Sequence, residues 1–399
     1  MTLSEELAWR GFINQSTLAD IKTLDKKKWT FYHGYDASSD SLTIGNLAAL
    51  MFDRAFVRHG HKAIMLAGGA TSLIGDPGGK NEERPLQPIE QVEANVAKVK
   101  QQIEKLFGHD VHMANNLTWF KDMPVLTFLR DVGKHFSMTP LVQRDYIAKR
   151  LGEGGAGISY TEISYTLLQG YDFLHLHKHH EANLQLAGSD QWGNCLSGVE
   201  LVRKVTGDEV HAITMPLIIN KTTGIKFGKS EGGAVWLDPD KTSPIDFYQF
   251  WINVDDDSVG DYLKIFTELD KEQIAKVMEE FENDKPNRHA QKTLAYEVTK
   301  LVHGAKEADN ANAQAVKLGQ ATQSSTGQIK IGDSVVDVLV KYGLGTSKTE
   351  ARQLLSAGGV YINNKQSTKT TFEASDFQDG RLILRRGKTL RNTVVLRLR

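Results

Sequence analysis

The chain has 399 residues, 40% of them hydrophobic, and its 48 Lys and Arg against 49 Asp and Glu leave a formal net charge of −1. That length predicts two or three units with separate cores. A single cysteine, Cys195, excludes an intramolecular disulfide or a multi-cysteine zinc cage; with no run near the ~18 apolar residues of a membrane span and no basic-then-apolar secretion signal at Met1-Thr-Leu-Ser-Glu-Glu, a cytoplasmic protein is expected.

In chain order, the first half alternates short apolar runs with amphipathic stretches, the pattern of an α/β fold with a parallel sheet. Its first chemical element is Tyr32-His-Gly-Tyr-Asp-Ala-Ser38 with Asp40-Ser-Leu-Thr-Ile-Gly-Asn46, followed by helical spacing from Leu47 to a closing Gly60. A glycine-containing loop that opens a helix offers free N–H groups and a positive dipole end to a phosphate. Gly34 and Gly45 would let a flat ribose or base approach the backbone. Such turns are also common as plain structure, so this segment alone decides nothing.

The strand-like run 62–67 leads into Gly68-Gly-Ala-Thr-Ser-Leu-Ile-Gly-Asp-Pro-Gly-Gly-Lys80, with Arg84 beyond. Asp76 thereby falls at the carboxyl edge of the sheet, where open α/β folds bind ligands. It suits an ammonium, and Lys80 and Arg84 suit phosphates; a surface loop with ordinary charges is the bland alternative. Helical spacing follows over 88–107 and 140–151. Tyr165, Gln169 and Asp172 then share one helix face at i, i+4 and i+7 within an apolar segment. Such groups are costly to bury unpaired, so the face is either a structural hydrogen-bond network or a ligand site.

After a strand-like run at 183–187 comes Gly188-Ser-Asp-Gln-Trp-Gly-Asn194, where Asp190 suits a ribose diol. Lys226-Phe-Gly-Lys-Ser230 sets two lysines around a glycine, positive charge for a departing polyphosphate, although a basic loop without a function would look alike. From 243 to 304 the pattern is helical, most clearly at 272–281 and 289–303. Residues 305–330, rich in Ala, Asn, Gln, Ser and Thr, have a linker's composition. The tail opens with a helix pattern at 335–340 and ends in strand-like alternation at 381–384 and 394–398. Its residues 331–399 hold twelve Lys and Arg against six Asp and Glu, either a polyanion handle or a solvated surface.

Order and spacing together resemble the bacterial tyrosyl-tRNA synthetases, a class I family, over nearly the whole chain. The most specific strings are Gly68-Gly-Ala-Thr with Ile74-Gly-Asp-Pro77, the Tyr165, Gln169 and Asp172 helix, Gly188–Asn194, and Lys226-Phe-Gly-Lys-Ser230 as counterpart of the family's KMSKS loop. The resemblance implies a Rossmann-type parallel-sheet catalytic domain over 1–238, an all-α anticodon-binding domain over 239–305, a linker over 306–330 and a small α+β (α-L) RNA-binding domain over 331–399. It implies that Tyr32 and Asp172 hold the tyrosine phenol, Asp76, Tyr165 and Gln169 its ammonium, and Gln191 its carboxylate. Gly34, Asp36, Ser38, Thr43, Gly45, Asn46, Gly188 and Asp190 would take ATP, with Lys80, Arg84, Lys226, Lys229 and Ser230 around the phosphates and Mg2+ arriving with the nucleotide. It further implies tRNA contacts by Arg144, Lys149 and Arg150 at the acceptor stem and by Lys348, Arg352, Arg385, Arg386 and Lys388 in the tail, salt-dependent as phosphate contacts are. A homodimer with its interface near 127–136 completes the expectation. The rivals are a catalytically weakened RNA-binding relative, which the intact pocket and both loop lysines argue against, and a tryptophanyl enzyme, which the Tyr32 and Asp172 pair suits less well.

One departure stands out: the family's HIGH tetrad is here Thr43-Ile-Gly-Asn46. Asn46 keeps a donor and an acceptor of similar reach, whereas the Thr43 hydroxyl is too short to meet a phosphate as an imidazole does. His33, where a small residue is common, is expected to compensate by reaching the ribose or phosphates. Thr43→His should therefore speed amino acid activation; ATP–pyrophosphate exchange on both proteins measures it, and a slower variant would refute the role given to this position.

Overall fold

The alternating runs of residues 1–215 become one sheet of β1 (Gln15–Ser16), β2 (Thr30–Asp36), β3 (Lys62–Gly68), β4 (Val111–Asn115), β5 (Leu184–Gly188) and β6 (His211–Met215). The structure is a computed structural model that describes all residues except 77–85, 109–110, 220–228, 231–232, 325–326, 364, 378–379 and 388–392, and the backbone alone at 145–146, 229–230, 233, 317–324, 365 and 393. Between the strands lie α1 (Leu3–Arg10), α2 (Ile44–Arg58), α3 (Gly69–Ile74), α4 (Ile89–Phe107), α5 (Leu117–Phe120), α6 (Val125–Asp131), α7 (Met138–Val142), α8 (Asp145–Leu151), α9 (Tyr160–His180) and α10 (Trp192–Thr206). The run 140–151 thus breaks between α7 and α8.

The strand order is β1-β6-β5-β2-β3-β4, with β2 to β6 parallel and β1 antiparallel at the edge. The chain grows from β2 through β3 to β4, then returns to the other side of β2 with β5 and β6. Reversal between β2 and β5 opens a crevice beyond their carboxyl ends, the usual place for a ligand in such a sheet. Successive side chains of β2 alternate in direction. Tyr32 joins Ile64, Leu66, Phe173, Leu174, Leu201 and Val202 in the core under α9 and α10. Phe31 and His33 meet α2 instead, Phe31 at 5.3 Å from the Phe56 ring.

His33 does not reach toward a nucleotide as expected. Its ring is buried, stacked on Tyr35 at 4.7 Å, and its Nδ1 lies 2.8 Å from Asp53 Oδ1, while the Tyr35 hydroxyl donates to the other Asp53 oxygen. A fully buried carboxylate on α2 needs such partners, and that need turns the histidine inward.

Beyond the hairpin of β7 (Lys229–Ser230) and β8 (Gly233–Ala234) come α11 (Pro244–Ile252), α12 (Val259–Phe266), α13 (Lys271–Asn283) and α14 (His289–His303). One compact unit comprises Met1–Ser243 with Phe250–Gly304, the other Pro244–Gln249 with Ala305–Arg399. The expected boundary at 238/239 is therefore not a break in packing. Arg10 on α1 donates to the carbonyls of Lys264 (2.5 Å), Thr267 (2.8 Å) and Leu269 (3.0 Å), satisfying the orphan carbonyls at the end of α12. Glu6 accepts from Arg10, Arg58 and His59, and Glu268 accepts from Arg54 and Arg58, tying the same helices together.

The second unit contains α15 (Ala305–Ser324), β9 (Gly327–Ile329), α16 (Val335–Lys341), α17 (Lys348–Ser356), β10 (Val360–Ile362), β11 (Lys365–Gln366), β12 (Arg381–Arg386) and β13 (Thr393–Leu398). Its sheet runs β11-β10-β12-β13-β9 over a core that includes Val335, Leu339, Val360, Leu384 and Leu396. Residues 305–324, expected as linker, are helical: alanine is the best helix former, and Ala308 and Ala311 are buried there. Composition signalled few large apolar groups, not a lack of helix formers.

Arg150, expected at a tRNA, lies inside the first unit. It grips Glu162 of α9 with Nη1 at 2.5 Å and Nη2 at 2.8 Å, and its Nε donates to the Gly157 carbonyl at 2.7 Å. Both residues are buried, and removing one partner of a buried pair costs about 3–5 kcal/mol. Glu162→Ala should lower the unfolding free energy by roughly that much in urea titrations, whereas Lys149→Ala, at an exposed position, should leave it unchanged.

Candidate functional site

At the carboxyl end of β2, the Asp36 carboxylate accepts from the Thr71 hydroxyl and from the Tyr165 hydroxyl, each at 3.1 Å. Asp36, expected on the nucleotide, is thus engaged by the hydroxyls of α3 and α9. Gly68 makes this possible, because a Cβ there would come within 2.4 Å of Thr71 Oγ1 and 2.7 Å of Asp36 Oδ1. Asp172, two turns along α9 from Tyr165, accepts from Trp119 Nε1 at 2.9 Å and from Asn116 Nδ2 at 3.1 Å. Asn116 also accepts the Ala70 N–H at 2.6 Å and reaches Thr71 Oγ1 at 3.2 Å, so β4, α3, α5 and α9 lock together behind one carboxylate.

A second chain of bonds crosses the crevice mouth. Gln191 Nε2 donates to Asp76 at 2.6 Å, Asn194 donates to Gln191 Oε1 at 3.0 Å, and Asn194 Oδ1 accepts from Arg144 at 2.8 Å and from Thr166 at 2.9 Å. Arg144 also donates to Thr166 Oγ1, the Gly193 carbonyl and Ser197 Oγ. Expected to face RNA, it braces the site from inside.

Among the described residues, the Tyr32 hydroxyl, Gln169 Oε1 and Oε1 of Gln185, the β5 partner of Tyr32, are buried here with no hydrogen-bond partner. Leaving such an atom unpaired costs about 1–3 kcal/mol. Such atoms suit a ligand that brings its own donor or acceptor.

On the nucleotide side, Gly34 is exposed and a Cβ there would meet open space; Ser38, Gly45 and Asp190 are exposed as well. Gly188 has little room, its Cβ position being 2.8 Å from Asp190 Oδ1. Thr43 and Asn46 satisfy each other at the start of α2: Asn46 Oδ1 accepts the Thr43 N–H at 2.9 Å and its hydroxyl at 3.0 Å, half of a capping box. The backbone just past β8 is pinned alongside, Ile44 N to the Val235 carbonyl at 3.0 Å and Leu237 N to the Leu42 carbonyl at 2.9 Å. Asp40 pairs with Lys241 and Lys98, contacts that hold its carboxyl down to about 2. Lys80, Arg84 and Lys226 lie outside the described residues, as do the side chains of Lys229 and Ser230.

The electrostatics follow from burial. Asp172 is pushed up to about 8 by desolvation, against the pull of its Asn116 and Trp119 donors. Tyr32 is raised well above its ordinary value by burial, with Cys195 and Asp172 adding to it, and Tyr165 by burial and then by Asp36 and Asp76. Buried acids beside unpartnered polar atoms suit a ligand carrying an ammonium and a phenol. Asn116 and Trp119 were missed from sequence; the available signal was polar Asn115-Asn116 ending an apolar strand at the sheet's carboxyl edge.

Comparison with known proteins was then decisive. A family model described as class I tRNA synthetases (W and Y) matches residues 24–320, and one described as the tyrosine–tRNA ligase SYY-like C-terminal domain matches 320–392. The chain is 44% identical to the tyrosine–tRNA ligase of Staphylococcus haemolyticus over 97% of each chain. It is 42% identical to that of Geobacillus stearothermophilus over 97% of this chain and 98% of the other. Among solved structures, a C-terminally truncated mitochondrial tyrosyl-tRNA synthetase of Aspergillus nidulans superposes with a TM-score of 0.71 at 32% identity, covering 79% of this chain and 94% of that one.

A carboxyl whose pKa is higher folded than unfolded is held protonated by folding, so it weakens stability increasingly as pH rises from near 3.8 toward about 8 and no further above. The unfolding free energy of Asp172→Asn relative to the parent should rise across that window and level off beyond it. Urea titrations at several pH values test this, and a flat difference would mean that Asp172 is ionised throughout.

Proposed function

The chain belongs to the class I tRNA synthetases, among the tyrosine–tRNA ligases, and on that footing we propose how its own residues divide the reaction. The enzyme activates L-tyrosine with ATP and passes it to the 3′ end of tRNA(Tyr). The tyrosine carboxylate attacks the α-phosphorus, tyrosyl-adenylate forms and pyrophosphate leaves; a hydroxyl of the terminal ribose then takes the tyrosyl group and AMP leaves. No protein nucleophile is needed, so the work is alignment and charge.

In this reading Tyr32 and Asp172 bind the phenol, Asp76, Tyr165 and Gln169 surround the ammonium, and Gln191 faces the carboxylate. The observation that carries it is the buried, unpartnered Tyr32 hydroxyl beside an Asp172 whose two oxygens are already fixed by Trp119 and Asn116. A phenol pairs with the Tyr32 hydroxyl and adds a bond to Asp172; phenylalanine leaves the Tyr32 hydroxyl without a partner, at about 1–3 kcal/mol. Asp36, shared with Tyr165, links the two substrates, while Gly34, Ser38, Gly45, Gly188 and Asp190 take the nucleoside of ATP. Thr43, Asn46, Lys80, Arg84, Lys226, Lys229 and Ser230 take its phosphates, which bring Mg2+ with them as part of the substrate.

For tRNA, exposed Lys149, Lys348 and Arg352 are the contacts we favour. Arg385, over the Tyr361 ring at 5.0 Å, and Arg386, paired with Glu350 at 2.8 Å, are further candidates in the second unit. Arg144 and Arg150 act instead as internal braces. Val125, Leu126 and Leu129 of α6 are exposed, an apolar face suited to a second copy of the chain. No helix among the described residues is long and apolar enough to cross a membrane, and with Cys195 as the sole cysteine we place the enzyme in the cytoplasm.

Tyrosine-dependent ATP–pyrophosphate exchange should be robust, with phenylalanine and tryptophan near background. Tyr32→Phe should lower kcat/KM for tyrosine roughly tenfold, one lost hydrogen bond, and narrow the gap to phenylalanine; an unchanged gap would remove Tyr32 from the phenol site.

A further inference from the structure

The last turns of α9 read Leu174-His-Leu-His-Lys-His-His180. His177 is engaged, Nδ1 with the Ala182 carbonyl at 2.8 Å and Nε2 with Asp208 at 3.0 Å. The other three histidines are not arranged that way. His175 and His179, at i and i+4, have ring centroids 4.4 Å apart. His180 lies 6.5 Å from His175 and 4.9 Å from His112 of β4. His179 and His112 are exposed and His175 half-buried.

Imidazolium would be welcome at a helix carboxyl end, which is the ordinary explanation for such a run. At His175 the ring is instead half-buried and packed between Trp119 and His179, at 4.3 Å and 4.4 Å between ring centroids, not set in solvent as a dipole-capping cation would be. An i, i+4 pair on a helix sets two imidazoles within reach of one point, and neutral imidazole is the preferred nitrogen donor for late first-row dications.

We propose that His175 and His179 form a two-imidazole site for a late transition-metal dication such as Cu2+ or Zn2+, on the outer side of the wall made by Trp119. Among the described residues no group of three or more His, Cys, Asp or Glu is arranged to hold a metal, so the protein would supply two donors. The site abuts the pocket, because His175 stacks on Trp119 at 4.3 Å and 18° and Trp119 donates to Asp172 at 2.9 Å. A dication there favours the ionised, accepting form of Asp172. That consequence, unlike the site itself, rests on the role proposed for Asp172 with tyrosine.

The test is titration of the full chain, free of any affinity tag, with Cu2+ at pH 7, copper being the tightest binder of the series. Electron paramagnetic resonance should report one ion per chain with two nitrogen donors. His179→Ala should lose that signal while its metal-free pyrophosphate exchange stays at the parent rate. An undiminished signal in His179→Ala, or oxygen-only coordination in the parent, would overturn the site. Saturating Zn2+ should lower KM for tyrosine in the parent and not in His179→Ala; an equal KM with a bound ion would overturn the link to the pocket.

Discussion

A carboxylate placed in an apolar interior must find donors or give up its charge, and Asp172 sets that condition for the elements packed around it. Its donors come from the end of β4 and from α5, segments that reach it only because the sheet runs β2-β3-β4. Asn116, which supplies one of them, also receives the Ala70 N–H and touches Thr71. Thr71 in turn meets Asp36, and Asp36 meets Tyr165. Order at one acid therefore propagates through five elements to the tip of β2, beside the crevice where the strand order reverses.

Legibility in the sequence followed the range of the interaction. Tyr165, Gln169 and Asp172 could be read as one face because helical periodicity is local, and Asp76 and Asp190 could be placed because each lies in a glycine-containing segment that follows a strand. The partners of Asp172 stand 56 and 53 residues away in the chain, and no local pattern names them. Arg144 and Arg150 read as surface cations for the same reason: their acceptors, Asn194 at 50 residues and Glu162 at 12, depend on how α8 lies against α9 and α10. The contacts that tie α1 to α12 act at longer range still, since Arg10 reaches carbonyls 254 to 259 residues ahead. Helix α15 was missed differently, through a composition that disguised good helix formers as a linker.

The altered tetrad at the start of α2 keeps its structural duty while changing its chemistry. Thr43 and Asn46 close a local cap, so the helix end stays satisfied without either imidazole. The adjoining loop is fastened by Asp40 to Lys98 and Lys241 and by backbone pairing at Leu42 and Ile44. The fold at this end of the sheet thus does not depend on the tetrad's imidazoles, whatever part these residues take with a phosphate.

The placement of Arg144 bears on how a charge-reversal survey of this enzyme ought to be interpreted. A scan of basic positions that watched only aminoacylation would register a defect at this arginine and credit it to lost contact with the nucleic acid. Its guanidinium instead holds Asn194, which donates to Gln191, itself bonded to Asp76, so on the amino acid role proposed for those two residues the injury would show just as fully with no tRNA in the tube.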